Sequence, residues 1–366
     1  MKIDILQIGQ NKSPNKLMVE SSKKKVVITG ISGFMGSQVC AAFLRDGGFI
    51  VRGTVRDKTN EAKIGPLRKA FGTKFEELEL FNADLLQPES LDAAIAGMDY
   101  VVHTASPLPF ESPEDENVVI KPAVEGTLAV MRAAHKHKVK RVVMTSSAAA
   151  VAQKKPENQK ELYDESDWSD LDVCPPYEKS KTMAEKAAWN YLDSIQGDRF
   201  ELVTLNPCFI FGPSLIPGDF ASGQMLGSIL SGKYPGMPKI SLAIVDVRDV
   251  ALAHLQAIKV REAANQRIIL SESTLWFKEI ADILNEAFPE FQIKTNELGY
   301  CPVKVISWFD KKAARIITRW GLRNVYNNQK SKDILGIQYH SPEENVIAMA
   351  RSLIENGVVE DKRVKK

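Results

Sequence analysis

Lys25-Val-Val-Ile-Thr-Gly30-Ile-Ser-Gly33-Phe-Met-Gly36 decides the fold of this 366-residue chain. Its opening is a short apolar run rich in β-branched residues that stops at glycine, the pattern of a buried strand. A helix-like stretch, Phe34 to Leu44, follows at once. The three glycines therefore fall in a strand-to-helix turn. There they permit a tight turn, close approach of the backbone to an anion and close helix packing, while the helix N-terminus offers free N–H groups and a partial positive charge. Gly30, Gly33 and Gly36, with the intervening Phe34 and Met35, are candidates for holding the pyrophosphate of a dinucleotide.

The same alternation repeats downstream. Phe49 to Val55, Phe75 to Leu80, Tyr100 to Thr104 and Arg141 to Met144 read as strands, and Glu61 to Phe71, Ser90 to Ala96 and Val119 to His137 as helices between them. Apolar strands alternating with helices predict an α/β, doubly wound parallel sheet of the Rossmann type, with its ligand crevice at the carboxyl ends of the strands. A helix running to about Leu192 and a strand from Glu201 to Leu205 extend the pattern. Beyond it, glycine- and proline-rich stretches and shorter helices (Phe277 to Phe288, Val346 to Glu355) predict a smaller, interleaved C-terminal substrate lobe. Ile240 to Ile258, as strand plus helix, and Arg267 to Leu270, as a strand, are expected to return to the main sheet. The expected organisation is a flexible extension over 1–24, a dinucleotide-binding domain over 25–206, the substrate lobe over 207–358 and a basic tail over 359–366.

Composition excludes several classes. Hydrophobic residues at 44% and charged residues at 26% are ordinary globular usage. A formal net charge of +2 gives no reservoir for neutralising a nucleic-acid backbone, so no nucleic-acid partner is expected. Cys40, Cys174, Cys208 and Cys301 form no CxxC pair, and His135 and His137, two apart on a helix, point in different directions; no metal is expected. The uncharged run Leu202 to Gly218 is broken by Pro207, Pro213 and Pro217, so no membrane span is expected. Residues 1–24 carry five lysines, two acids and a weak apolar run. They read as a flexible extension, with an organellar presequence as the alternative. A cytoplasmic protein acting on a small molecule, as monomer or homodimer, is expected.

The second strand bears on the cofactor. An NAD site usually offers an acid about 20 residues beyond the glycine loop to grip the ribose hydroxyls. Here the strand ends Thr54-Val-Arg56-Asp57, with arginine before the acid. A planar guanidinium suits a 2′-phosphate and a carboxylate repels one, which favours NADP(H). Lys63, early in the next helix, adds a second positive charge.

Tyr177-Glu-Lys-Ser-Lys181 follows Pro175-Pro176. The four-residue spacing on a helix puts phenol and ammonium on one face, one turn apart, and a cation at ~4–6 Å lowers a phenol's pKa by about 1–3 units from about 10. An acidified phenol is therefore expected. Thr145-Ser146-Ser147 ends a strand and delivers a hydroxyl to the crevice. Together these groups make a set suited to carbonyl reduction: a hydroxyl polarises the oxygen, the phenol protonates it, and a dihydronicotinamide donates hydride to carbon.

On these motifs the chain resembles the extended short-chain dehydrogenase/reductases. Thr-Val-Arg-Asp at 54–57, Val-Val-His-Thr-Ala-Ser-Pro at 101–107, Thr-Ser-Ser-Ala at 145–148, Ala-Glu-Lys-Ala-Ala-Trp at 184–189 and Val-Asp-Val-Arg-Asp-Val-Ala at 245–251 are similar to the dihydroflavonol 4-reductase-like branch. That branch includes plant flavonoid and cinnamoyl-CoA reductases and fungal methylglyoxal and aldehyde reductases, generally using NADPH. The resemblance implies Ser147, rather than Ser146, as catalytic serine, Tyr177 as acid, and Lys181 as the residue that tunes the phenol and holds the nicotinamide ribose. It implies Arg56 and Lys63 at the 2′-phosphate, Asp84 and Leu85 at the adenine, and Thr104, Ala105, Ser106 and Pro207 around the nicotinamide side, with Thr145 also counted as cofactor-binding. Asp246, Arg248 and Asp249 are read as a structural charge network at a helix start.

Two departures bear on substrate. The cinnamoyl-CoA reductase signature around the tyrosine is replaced by Asp172-Val-Cys-Pro-Pro-Tyr177, which argues against a thioester. The asparagine that plant flavonoid reductases place five residues after the serine is Ala152, within Ala148-Ala-Ala-Val-Ala, leaving a pocket wall expected to be apolar and tolerant. The expected reaction is therefore NADPH-dependent reduction of an aldehyde or ketone. The alternatives are an NAD-dependent sugar-nucleotide epimerase or hydroxysteroid dehydrogenase/isomerase, or a cofactor-binding subunit without turnover.

Overall fold

The computed structural model describes residues 23–106, 115–218 and 220–363. The expected flexible extension, up to residue 22, and the last three residues of the basic tail lie outside the described residues, as does Pro107 of the 101–107 motif.

Five strands and five helices of the main-sheet layers come first along the chain. They are β1 (Lys24–Thr29), α1 (Phe34–Asp46), β2 (Phe49–Val55), α2 (Glu61–Phe71), β3 (Leu78–Asn82), α3 (Pro88–Ile95), β4 (Tyr100–His103), α4 (Asn117–Lys136), β5 (Arg141–Thr145) and α5 (Pro176–Ser194). With the strands Glu201–Pro207 and Arg267–Leu270 they build one seven-stranded sheet, in which β1 is flanked by β2 and β4. Every pairing in this sheet is parallel. The chain winds outward from β1 to β3 on one side and then crosses to β4 on the other, so the order reverses between β1 and β4 and opens a crevice at their carboxyl ends.

Strand composition follows from this placement. Val26, Val27 and Ile28 are fully buried, because alternate side chains enter different layers. Val26 and Ile28 pack with α1, α2 and the helix Val247–Lys259, whereas Val27 packs with α3, α4 and α5.

A third cluster, drawn from Phe211, the helix Phe277–Ala287 and the helix Pro342–Glu355, forms the core of the C-terminal lobe. Here one expectation is corrected. The strand Ser241–Asp246 does not return to the main sheet; it pairs with Phe209–Phe211 and Ser273–Trp276 in a separate three-stranded sheet. Only the helix after it lies against the main sheet. The third strand is also later than expected, since Gly72–Glu77 forms a 3-10 turn and pairing begins at Leu78. Among the described residues no helix is long and apolar enough to cross a membrane.

Candidate active site

Strand ends converge on the crevice. Gly30 adopts a left-handed backbone with φ +75°, and its N–H and that of Ile31 reach the Thr54 carbonyl at 3.1 and 3.2 Å, tying the loop to β2. A Cβ on Gly30 would meet Ala105 at 3.0 Å, and one on Gly36 would lie 2.2 Å from the Gly30 carbonyl oxygen. Protein atoms alone require both glycines. Gly33 differs, since a Cβ there would make an ordinary 3.5 Å contact. The first turn of α1 has no side-chain cap and no acid, which leaves its positive end available to an anion. Phe34 stacks on Phe220 of the C-terminal lobe at 4.1 Å between centroids, and Met35 packs against the core.

Beyond β2, Arg56 and Lys63 are both exposed, and neither pairs with a carboxylate among the described residues. Asp57 is engaged locally: its Oδ1 accepts from Thr59 N and Oγ1 at 2.9 and 2.7 Å, which holds its carboxyl below the usual range. After β3, Asp84 Oδ1 accepts from Leu86 N at 2.9 Å, and Leu85 turns into the crevice.

Thr29 organises the end of β4. Its Oγ1 accepts the N–H groups of Thr104 and Ala105, each at 3.1 Å, while Thr104 Oγ1 donates back to the Thr29 carbonyl. The Thr29 proton is then directed to His103 Nδ1, 2.9 Å away, which leaves the imidazole proton on Nε2. Burial, with Lys181 nearby, drives the His103 pKa down to about 3, so this ring is neutral.

At the end of β5 the two serines part. Ser146 is buried and donates to Glu185 Oε2 at 2.6 Å. Ser147 is half-buried, accepts from Ala149 N at 3.1 Å, and presents its hydroxyl to the Tyr177 phenol. Tyr177 and Lys181 occupy successive turns at the start of α5, where Pro176 stands in the first turn. Lys181 Nζ donates to the Thr145 carbonyl at 3.4 Å. The Thr145 hydroxyl meets His254 Nε2 at 2.7 Å, and His254 Nδ1 donates to the Val250 carbonyl. Leu85, His103, Ala105, Ser106, Thr145 and Lys181 thus line one cleft. Pro207 ends its strand, buried beside Leu270.

Two expectations fail here. The phenol is not acidified: burial pushes Tyr177 up to about 12, and only the Ser147 hydroxyl draws it back. Burial also lowers Lys181 to about 8, so both members of the pair are pushed towards their neutral forms. Ala152 does not form an open pocket wall either; with Val151, Tyr163 and Ile269 it belongs to a small buried cluster.

Sequence reasoning passed over Glu185, Asn206 and Arg267, which meet behind the serines. The spacing Tyr177, Lys181, Glu185 on one helical face was the available signal. Asp246 caps the helix Val247–Lys259 and pairs with Arg248, and Asp249 holds His340.

Comparison with known proteins matches residues 26–270 to the NAD dependent epimerase/dehydratase family. The chain is 37% identical to cinnamoyl-CoA reductase 1 of Arabidopsis thaliana over 338 residues, 91% of this chain and 90% of that protein. It is 36% identical to the bifunctional dihydroflavonol 4-reductase/flavanone 4-reductase of Pyrus communis over 295 residues, 76% of this chain and 81% of that protein. Among solved structures, yeast methylglyoxal/isovaleraldehyde reductase complexed with NADPH superposes with a TM-score of 0.74 at 27% identity, covering 91% of this chain and 99% of that one. Vestitone reductase from alfalfa gives 0.73 at 29% identity, covering 92% and 100%. With its glycine loop at the switch point of a parallel sheet, the chain is an oxidoreductase of the extended short-chain dehydrogenase/reductases, in the group of the dihydroflavonol and cinnamoyl-CoA reductases.

Proposed function

We propose that the protein reduces an aldehyde or ketone to an alcohol with NADPH. The observation that carries the reading is that the Ser147 hydroxyl lies beside the Tyr177 phenol, one helical turn before Lys181, which lines the cleft. The dinucleotide would supply hydride to the carbonyl carbon. Ser147 hydrogen-bonds the carbonyl oxygen, and Tyr177, protonated throughout the neutral range, donates its proton to that oxygen as charge develops. Lys181 holds the ribose by its ammonium and stabilises the phenolate left behind.

The residues present fit NADPH. Arg56 and Lys63 are exposed cations without a carboxylate partner among the described residues, and they suit a 2′-phosphate, which the Asp57 carboxylate alone would repel. Gly33 has no steric need to be glycine within the protein, which fits close approach of a pyrophosphate. Asp84 and Leu85 would meet the adenine, and Thr104 to Ser106, Thr145 and Pro207 the nicotinamide side. The departure at Asp172 to Tyr177 favours a simple aldehyde or ketone over the thioesters named for some relatives.

The test mixes purified protein with NADPH and a panel of aldehydes, diketones and flavanonols and follows absorbance of the reduced nicotinamide. Turnover by the parent and its loss in Tyr177→Phe are expected; equal rates for both would overturn the assignment. A sugar-nucleotide epimerase would use NAD instead, and tighter NAD than NADP binding, unchanged by Arg56→Ala, would favour it.

A further inference from the structure

We infer that Glu185, held by Arg267, is the positioning residue that sets Ser147 and Lys181 against Tyr177. The inference rests on the reading of those three residues given above. Glu185 has no exposed surface, and its carboxylate gathers side chains from three neighbouring strands or strand ends. Oε2 accepts from Ser146 Oγ at 2.6 Å and from Asn206 Nδ2 at 2.8 Å; Oε1 accepts from Thr204 Oγ1 at 2.9 Å and from Arg267 Nε at 2.7 Å. Asn206 Nδ2 also donates to the Ser147 carbonyl at 3.2 Å. The main chain of Ser147 is therefore gripped on both sides, through the Ser146 side chain and its own carbonyl, by groups that converge on one carboxylate.

That carboxylate rides on α5, one turn past Lys181 and two past Tyr177. Rotation or sliding of α5 against β5 would break its contacts, so it fixes the register between the element bearing the serine and the element bearing the phenol and ammonium. Arg267 extends the grip. It donates to the carbonyls of Glu165 and Asp167 and, at 3.2 Å, to that of Ala150, and its guanidinium lies 3.8 Å over the Trp168 ring. These contacts anchor the loop that leaves Ser147. A buried ion pair is a poor source of stability compared with apolar packing, but its directed bonds specify geometry. The charges around Lys181 agree with this role: Glu185 supports the ammonium from its own helix, His103 faces it from β4 as a neutral ring, Tyr177 is protonated, and Arg267 is paired with Glu185.

Two variants of the full chain, Glu185→Gln and the charge-balanced Glu185→Gln/Arg267→Met, are assayed beside Tyr177→Phe for NADPH affinity, kcat and the pH dependence of kcat. The double variant avoids leaving an unpaired buried charge, so it tests positioning apart from folding. It is expected to bind NADPH within about threefold of the parent, to lose at least about tenfold in kcat, and to have the alkaline decline of kcat moved to lower pH, because without its anionic neighbour the Lys181 ammonium is lost earlier as pH rises. Ser146→Ala, which deletes one contact and keeps the charge, should lower kcat less and leave the pH profile in place. A folded double variant with kcat within about twofold of the parent and an unmoved profile overturns the inference. Parent-like turnover by Tyr177→Phe overturns the catalytic reading instead.

Discussion

At the scale of single residues, the phenol and the ammonium are tuned by loss of water more than by each other. With Tyr177 at about 12, the tyrosine is an acid that keeps its proton until the carbonyl oxygen takes on charge. Tyr177→Phe removes that proton and should lower kcat by roughly 10²–10⁴-fold with little change in NADPH affinity, read from steady-state rates and a binding titration. Lys181 lies at about 8 through burial, so the ammonium is present below that pH and lost above it. kcat/KM for NADPH, which reports the free enzyme, should accordingly decline as pH rises through about 8. A profile flat to pH 10 would mean that the ammonium is not needed. Just beyond β2, Arg56→Ala should weaken NADPH binding by roughly tenfold, the worth of about 1.4 kcal/mol, and leave NADH binding unchanged.

At the scale of elements, the β1-to-α1 turn separates structural from ligand-imposed demand. Gly36 has no room for a methyl group, since its Cβ would sit 2.2 Å from a backbone oxygen. Gly36→Ala should therefore lower thermal stability by a few kcal/mol as well as binding, seen as a depressed Tm. Gly33→Ala faces only an ordinary contact within the protein and should fold with a near-parent Tm while losing NADPH affinity. Equal Tm losses for the two would show that Gly33 serves the fold alone. The Phe34–Phe220 stack joins this same turn to the C-terminal lobe, so the loop that would receive the pyrophosphate is braced from the substrate side.

For the whole molecule, two fully enclosed imidazoles couple folding to pH. His103 and His254 lie near 3 and 4 because burial disfavours their charged forms, against an unfolded value of 6.5. Between those values the unfolded chain binds the protons that the native chain refuses, so stability is fully present above about pH 6.5 and is lost as pH falls towards 4. For His254 the loss is on the order of 3 kcal/mol at the acid end. Denaturant midpoints measured from pH 7 to pH 4 should fall steadily, and His254→Gln should flatten part of that slope. An unchanged slope in the variant would place the proton uptake elsewhere.

The sequence by itself determined the alternating strands, the glycine turn and the spacing of Tyr177 and Lys181, because each depends on residues a few positions apart. The periodicity of apolar side chains and the steric demands of Gly30 and Gly36 are local, and neighbours along the chain report them. Only the tertiary structure decided that Ser241–Asp246 leaves the main sheet, that Ala152 is core, and that Ser146 serves Glu185 while Ser147 faces the phenol. It also decided the acidity of Tyr177, since desolvation depends on everything packed around the ring, and the pairing of Glu185 with Arg267 across 82 residues. Those outcomes depend on packing between distant segments, and no spacing along the chain encodes which distant groups will displace the water.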